Sequence, residues 1–190
     1  MSRVSGRYTG FAIALHWLVA VLVLVLIGLG LYMTDIPRGT PERASFYNLH
    51  KSIGVTVFLI VIVRLWWRAR NPPPPLPPTV PSWQVTASRL SHALLYMCLI
   101  LMPVAGFSAS QFTKYGVTYF GLFKIPPMGS ENKAIYDLLQ GVHETTAWVL
   151  MTIIIIHVLA ALKHLVVDKD GVFQRMVPGR VPEALKRPGS

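Results

Sequence analysis

The chain has 190 residues, of which 53% are apolar and only 14% charged, and its mean hydropathy is +0.49. Soluble domains average about 25% charged residues, so this composition excludes an ordinary soluble globule and favours a small bundle of membrane helices. The formal net charge is +10, and Cys98 is the single cysteine. One cysteine excludes disulfide scaffolds, thiolate zinc sites, iron–sulfur clusters and the attachment motif of c-type haem.

Four apolar segments are predicted to cross the membrane, because a helix of about 20 apolar residues spans the hydrocarbon region and satisfies its own backbone there. In chain order the predicted spans are residues 9–34, 48–69, 87–112 and 138–166. The second span is uncharged only over residues 52–63 and reaches spanning length by including basic side chains that can snorkel at both ends. The first span could instead be a cleaved signal peptide, but its uncharged core is longer than the roughly 7–15 residues of one.

Two connections interrupt this pattern. Residues 71–78 are mostly proline and predict an extended polyproline linker between the second and third spans. Residues 114–137 contain glycines, prolines and aromatic residues, and they predict a long loop of the kind that caps or binds something. Residues 1–180 are interpreted as one transmembrane domain, and residues 181–190 as a basic tail that contacts anionic headgroups.

The distribution of basic residues predicts the orientation of the bundle. On the side of both termini and the proline linker lie Arg3, Arg7, Arg64, Arg68, Arg70, Arg89, Lys163, Lys169, Arg175, Arg180, Lys186 and Arg187. On the opposite side lie Arg38, Arg43, Lys51, Lys114, Lys124 and Lys133. The positive-inside rule therefore predicts that both termini are cytoplasmic. The net charge then reflects topology, and no nucleic-acid partner is expected.

Histidines in the spans predict a cofactor site. His16, His50, His92, His143 and His157 fall within or at the ends of the spans, where a polar group is costly and marks function by default. Each one alone could equally be hydrogen-bonded to a backbone carbonyl. His143 and His157 are 14 residues apart, which places them on one helix face about 21 Å apart. Matching depths pair His50 with His143 at the outer end, and His16 with His157 at the inner end.

Two imidazole pairs inside an apolar bundle predict two six-coordinate haem b groups, because imidazole is a good iron ligand and the porphyrin needs an apolar slot. Filled axial positions favour electron transfer over oxygen binding. Zinc is disfavoured because Glu144 is the only acid beside a candidate ligand. Proton-relay histidines in a haem-free transporter are the alternative. Small residues on the histidine faces could give a macrocycle room or simply pack helices closely, namely Gly30, Gly54 and Gly106.

Two further side chains are candidates for binding. Arg64 lies 14 residues after His50 and is predicted to face a haem propionate at the inner end, or else to snorkel. His164 lies one heptad beyond His157 at the cytoplasmic interface. It suits a quinone carbonyl because an imidazole can donate a hydrogen bond and a proton, although it could instead touch lipid headgroups. His92 is a second quinone candidate and is not expected to ligate iron.

Four short motifs contain these histidines. They are ALHWLVA with His16, NLHKSIG with His50, LLQGVHE with His143, and IIIIHVLAALKHL with His157 and His164. Together with the four spans, these motifs resemble the bacterial cytochrome b561 family over nearly the whole chain. The similarity is greatest to its short, stand-alone members, one type of which is a superoxide oxidase with two haems.

The resemblance implies an all-α, integral membrane four-helix bundle in the bacterial inner membrane, with two haem b groups on the residues matching His16, His50, His143 and His157. For the superoxide oxidase type it implies oxidation of superoxide to dioxygen at the periplasmic face, with ubiquinone as the acceptor near the residue matching His164. The alternative is an electron-transfer subunit that links the quinone pool to a partner redox protein. The outer basic residues would attract superoxide, but nearby acids nearly balance them, namely Asp35, Glu42, Glu131, Asp137 and Glu144.

Overall fold

Four long helices make up most of the computed structural model, which describes residues 6–179. They are α1 (Gly10–Asp35), α2 (Pro41–Arg70), α3 (Ser82–Gln111) and α4 (Lys133–Lys163). All four are long and apolar enough to cross a membrane, α4 together with the turn that follows it, which confirms the predicted all-α membrane fold. The predictions made for Arg3, Arg180, Lys186, Arg187 and the tail at residues 181–190 lie outside the described residues.

Three of the helices begin at residues whose side chains cap the first turn. The side chain of Thr9 accepts a hydrogen bond from the backbone of Ala12, and Asn132 caps α4 in the same way. Thr40 caps α2, and Pro41 occupies its first turn, where a proline costs no hydrogen bond. These caps start α2 and α4 earlier than the predicted spans, so both helices extend beyond the apolar segments on the outer side.

The connection between α3 and α4 differs from the predicted loop. Strand β1 (Val117–Tyr119) pairs antiparallel with β2 (Phe123–Ile125), with Thr118 opposite Lys124. The last residues assigned to the loop are already helical, because α4 begins at Lys133. The outer end of the bundle therefore has an ordered hairpin, which packs against α2.

The helices pack as two hairpins. Over residues 6–179, α1 packs along α2, α3 packs along α4, and α2 contacts α3, whereas α4 makes no extensive backbone contact with α1 or α2. Midway along the bundle a buried apolar cluster joins all four helices, formed by Val19, Val23, Leu26, Val57, Val61, Cys98 and Leu150. Lipid is as apolar as these side chains, so the cluster stabilises the bundle through close packing rather than through exclusion of water.

The inner end of the bundle is tied together by polar contacts. The guanidinium of Arg7 donates to the carbonyl of Gly179 at 2.5 Å, joining the two ends of the described chain. Arg175, in the 3₁₀ helix Phe173–Met176, donates to the carbonyl of Pro75 in the proline linker at 2.6 Å. The N-terminal segment, the linker and the C-terminal segment therefore lie on the same side of the bundle.

Candidate functional site

At the outer end, His50 on α2 faces His143 on α4. Their ring centres are 6.1 Å apart, and the ring planes are inclined at 74°. The Nδ1 atom of His143 lies 2.8 Å from the carbonyl oxygen of Met102 on α3. Because a carbonyl can only accept, Nδ1 carries the proton and Nε2 keeps its lone pair for a metal. Nδ1 of His50 is buried and has no hydrogen-bond partner among residues 6–179.

Glycines let two helices approach this outer pair. A Cβ atom at Gly106 would lie 2.8 Å from Nδ1 of His143, and one at Gly30 would lie 3.4 Å from Cε1 of His50. The absence of a side chain at Gly106 is therefore what allows the His143 ring to reach the Met102 carbonyl. The sequence prediction that glycines lie on the histidine faces holds most clearly at Gly106.

Substitution of this glycine should disturb the outer pair selectively. Gly106→Ala forces His143 or α3 to move, and overpacking of this kind costs about 1–3 kcal/mol. We expect a lower melting temperature and weaker cofactor retention, measured by thermal denaturation and by pigment content after gel filtration. Gly141→Ala is the matched control on α4, because a Cβ there meets no atom of the described residues within 4 Å. Equal behaviour of the two variants would contradict the packing role of Gly106.

At the inner end, His16 on α1 faces His157 on α4. Their ring centres are 6.4 Å apart, and the ring planes are inclined at 71°. His92 on α3 also contacts this pair, with its ring centre 5.3 Å from that of His157. Its Nδ1 atom lies 2.7 Å from the carbonyl oxygen of Ser88 and donates to it. The structure thus places a third imidazole beside the inner pair. The position of each histidine along its helix did not predict this contact.

The ring separations test whether each pair fits one shared metal. A metal lies about 2.0–2.1 Å from an imidazole nitrogen, and that nitrogen about 1.2 Å from its ring centre, so two rings on opposite sides of one ion have centres about 6.4 Å apart. The His50–His143 separation of 6.1 Å and the His16–His157 separation of 6.4 Å match this value. The His92–His157 separation of 5.3 Å is shorter and fits direct packing of the rings.

The position of the pairs between the two helical hairpins fits a flat macrocycle. Each pair joins α4 to a helix of the other hairpin, α2 for the outer pair and α1 for the inner pair. In the described chain α4 does not approach either α1 or α2 closely. At Gly54, one turn beyond His50, a Cβ would meet none of the described atoms within 4 Å. Both histidine sites therefore fit a haem by the separation of their rings and by their position between the hairpins.

Arg64 points into the bundle beside the inner pair. Its Nη1 donates to the carbonyl of Ala12 at 2.8 Å, and its Nε donates to the hydroxyl of Tyr96 at 3.1 Å. Its Nη2 lies 3.5 Å from Nδ1 of His16, which is longer than a normal hydrogen bond. A guanidinium has five donors, so donors remain available for a carboxylate at this end of the site.

His164 lies where α4 ends in a turn of π-helix, His164–Asp168. Its Nδ1 is 2.6 Å from a carboxylate oxygen of Asp170 and 3.3 Å from one of Asp168. These three residues could in principle bind a metal ion, but Lys163 already pairs with Asp168, and the backbone of Val172 donates to Asp170. Because a carboxylate accepts, Nδ1 of His164 carries the proton. Sequence spacing did not identify Asp170, because it lies beyond the end of the helix, where Lys169 has a φ of +51° and turns the chain.

Membrane helices with facing histidines between two hairpins define a class, the membrane-bound cytochromes b. The comparisons with known proteins agree. A family model described as "Prokaryotic cytochrome b561" matches residues 7–179, and the chain belongs to this family. It is 32% identical to "Cytochrome b561 homolog 2" of Escherichia coli strain K12, over 90% of this chain and 91% of that protein.

Two more relatives are similar over nearly their full length. "Cytochrome b561 homolog 1" of Escherichia coli strain K12 is 28% identical, over 92% of this chain and 99% of that protein. "Probable superoxide oxidase CybB" of Yersinia pestis is 27% identical, over 90% of this chain and 96% of that protein. This chain is therefore a multi-pass bacterial membrane protein of a family that binds haem b and transfers electrons.

Proposed function

We propose that this protein is an inner-membrane cytochrome with two haem b groups that oxidises superoxide at the periplasmic side and reduces ubiquinone at the cytoplasmic side. The observation that carries this proposal is the pair of histidine sites, with ring separations of 6.1 and 6.4 Å. The α4 members of the two sites, His143 and His157, are 14 residues apart. This separation is about 21 Å along the helix, which is most of the thickness of the hydrocarbon region. Two sites at these depths span the distance between a donor on one side and an acceptor on the other.

Each part of the site has a defined task in this proposal. His50 and His143 would hold the outer haem, and His16 and His157 would hold the inner haem. Haem b bound at each site would supply a one-electron carrier. The apolar cluster around Leu150 lies between the two sites. Arg64 offers its remaining donors to a propionate of the inner haem.

A positive charge at the outer end of the bundle favours an anionic electron donor. Lys51 follows His50 directly, and its Nζ donates to the carbonyl of Gly116 at 3.1 Å. This contact positions an ammonium group beside the outer site, where it attracts superoxide. Lys133 is instead paired with Asp137 at 2.5 Å on the exposed start of α4. We assign the attraction to Lys51 because it is the outer basic residue next to His50 in the chain, and the name of the Yersinia pestis relative supports superoxide as the donor.

The inner end supports a quinone that takes up protons. Two superoxide ions, one ubiquinone and two protons give two dioxygen molecules and one ubiquinol, so both protons must reach the quinone on the acceptor side. With Nδ1 of His164 donating to Asp170, a protonated ring presents Nε2–H to a quinone carbonyl and can release that proton to it. The orientation predicted by the positive-inside rule places His164 at the cytoplasmic surface.

The deciding experiment is haem quantification followed by stopped-flow spectroscopy of the purified protein. We expect two haem b groups per chain, rapid reduction by superoxide, and reoxidation by ubiquinone-1. Lys51→Gln should slow reduction by superoxide about tenfold at low salt, with a smaller difference at high salt, because an attraction between charges is screened. Lys133→Gln is the matched control, and its effect should be small.

Other outcomes identify the alternatives. Two haems that superoxide does not reduce would indicate an electron-transfer subunit that needs a partner redox protein, and the superoxide assignment would be wrong. A colourless protein, after expression with ample haem, would contradict the assignment of both histidine pairs and indicate a transporter.

A further inference from the structure

The hairpin β1–β2 is fixed to α2 at a definite level. The hydroxyl of Ser52, which is fully buried, accepts the backbone N–H of Phe120 at 2.9 Å. The same hydroxyl lies 3.1 Å from the carbonyl oxygen of Thr118. One turn further along α2, the hydroxyl of Thr56 lies 3.1 Å from that of Tyr119. The backbone at residues 118–120 is therefore level with Ser52, and the Tyr119 side chain reaches deeper still.

This level lies within the membrane. The basic residues that mark the inner end of α2 are Arg64, Arg68 and Arg70, which follow Ser52 by 12, 16 and 18 residues. At 1.5 Å per residue these separations are about 18, 24 and 27 Å, and helix tilt makes the depth difference smaller. The hydrocarbon region is about 30 Å thick. Whichever arginine marks the inner boundary, Ser52 and the hairpin backbone beside it lie inside the outer boundary.

The hairpin tip is suited to this depth. Phe120, Leu122 and Phe123 are 47%, 77% and 55% exposed in the described structure. Residues 115–123 carry no charged side chain, and Lys124, opposite Thr118, has a long side chain that can snorkel toward the outer surface. The backbone polar groups that lipid could not satisfy are engaged, because the two strands pair and Ser52 and Lys51 bind their neighbours. An apolar tip with a paired backbone is what a segment in contact with acyl chains requires.

The turn at this tip holds Phe120, an apolar residue, in a strained backbone conformation. The N–H of Leu122 donates to the carbonyl of Tyr119 at 2.9 Å, which closes a β-turn within the three-residue connection between the strands. The central residues Phe120 and Gly121 have φ values of +45° and +74°. Turns of this kind favour asparagine or glycine at both positions, and a bulky residue there is strained. A strained phenylalanine points to a role for its side chain.

We propose that residues 119–123 form a wedge inserted in the outer leaflet, with lipid acyl chains as the occupant of its exposed face. The wedge holds the hairpin against α2 next to His50 and Lys51, so the membrane itself supports one wall of the outer site. A protein partner on the same face is the competing occupant, and the test below distinguishes the two.

The test compares two equally exposed positions at different depths. Leu122 is 77% exposed and Met128 is 79% exposed. The backbone of Met128 is 3.3 Å from the side chain of Gln111, the last residue of α3. Gln111 is five residues beyond Gly106, which packs on His143, so Met128 lies roughly 7 Å outside the level of the outer pair. Leu122→Cys and Met128→Cys are each made in a Cys98→Ala background and reconstituted with haem into proteoliposomes.

Two reagents then report on water and on lipid. We expect a membrane-impermeant charged maleimide to modify Leu122→Cys at least about tenfold more slowly than Met128→Cys, because a thiol needs water to react as the thiolate. An apolar diazirine dissolved in the lipid should label residues 119–123 of the unmodified protein, read by mass spectrometry. Equal maleimide rates at the two positions would refute insertion. Protection of position 122 from both reagents would show that protein, and not lipid, covers the tip.

Discussion

His157→Ala should lower the haem content from two groups per chain to one, with the outer site left intact. The substitution removes one of the two imidazoles at the inner site, and a six-coordinate haem cannot be held by His16 alone with comparable affinity. His143→Ala should likewise lose one haem and retain the inner one. The measurement is haem extraction against protein concentration, with oxidised-minus-reduced spectra that identify which of the two groups remains.

His92→Gln is the control that makes this experiment decisive. The His92 ring is closer to His157 than the His16 ring is, at 5.3 Å against 6.4 Å. If proximity determined ligation, removal of His92 would release the inner haem. We expect His92→Gln to retain both haems, because a ring separation of 5.3 Å leaves no room for a metal shared with His157. Loss of a haem in His92→Gln with retention in a His16→Ala protein would reverse the assignment.

The pairing of histidines by depth could be predicted from sequence because the helices are antiparallel. In such a bundle the distance of a residue from its helix end fixes its level, so His50 had to lie near the level of His143, and His16 near that of His157. Depth does not fix how each helix is rotated about its own axis. The contact between His92 and His157 depends on the rotation of α3, which only packing determines, and for this reason it was not predicted.

The β1–β2 hairpin and the contact of His164 with Asp170 could not be predicted from the sequence, for different reasons. Strands β1 and β2 have three residues each, which is too short for an alternating pattern to stand out, and their turn has phenylalanine where a hairpin signal would have asparagine. The contact between His164 and Asp170 depends on how the chain leaves the helix after the π-helical turn His164–Asp168, at Lys169. A heptad argument applies only within a helix, so it could not find the carboxylate that binds His164.

His164→Gln should slow reoxidation of the reduced protein by ubiquinone-1 about 100-fold, which is the usual loss when a positioned acid is removed. Glutamine keeps a hydrogen-bond donor of similar size but cannot release a proton. Haem content and the rate of reduction by superoxide should not change, because His157 lies seven residues before His164, about 10 Å along the helix, and Lys51 lies at the opposite end of the bundle. Stopped-flow spectroscopy measures the two rates separately in one sample, so each variant contains its own control.

A second variant separates proton delivery from simple binding of the quinone. Asp170→Asn removes the carboxylate that holds Nδ1 of His164 at 2.6 Å, but leaves the imidazole in place. We expect a smaller loss than in His164→Gln, because the imidazole remains but the carboxylate no longer holds it in place. If His164→Gln only raised the ubiquinone concentration needed for half-maximal rate, with the maximal rate unchanged, His164 would bind the quinone without supplying its proton.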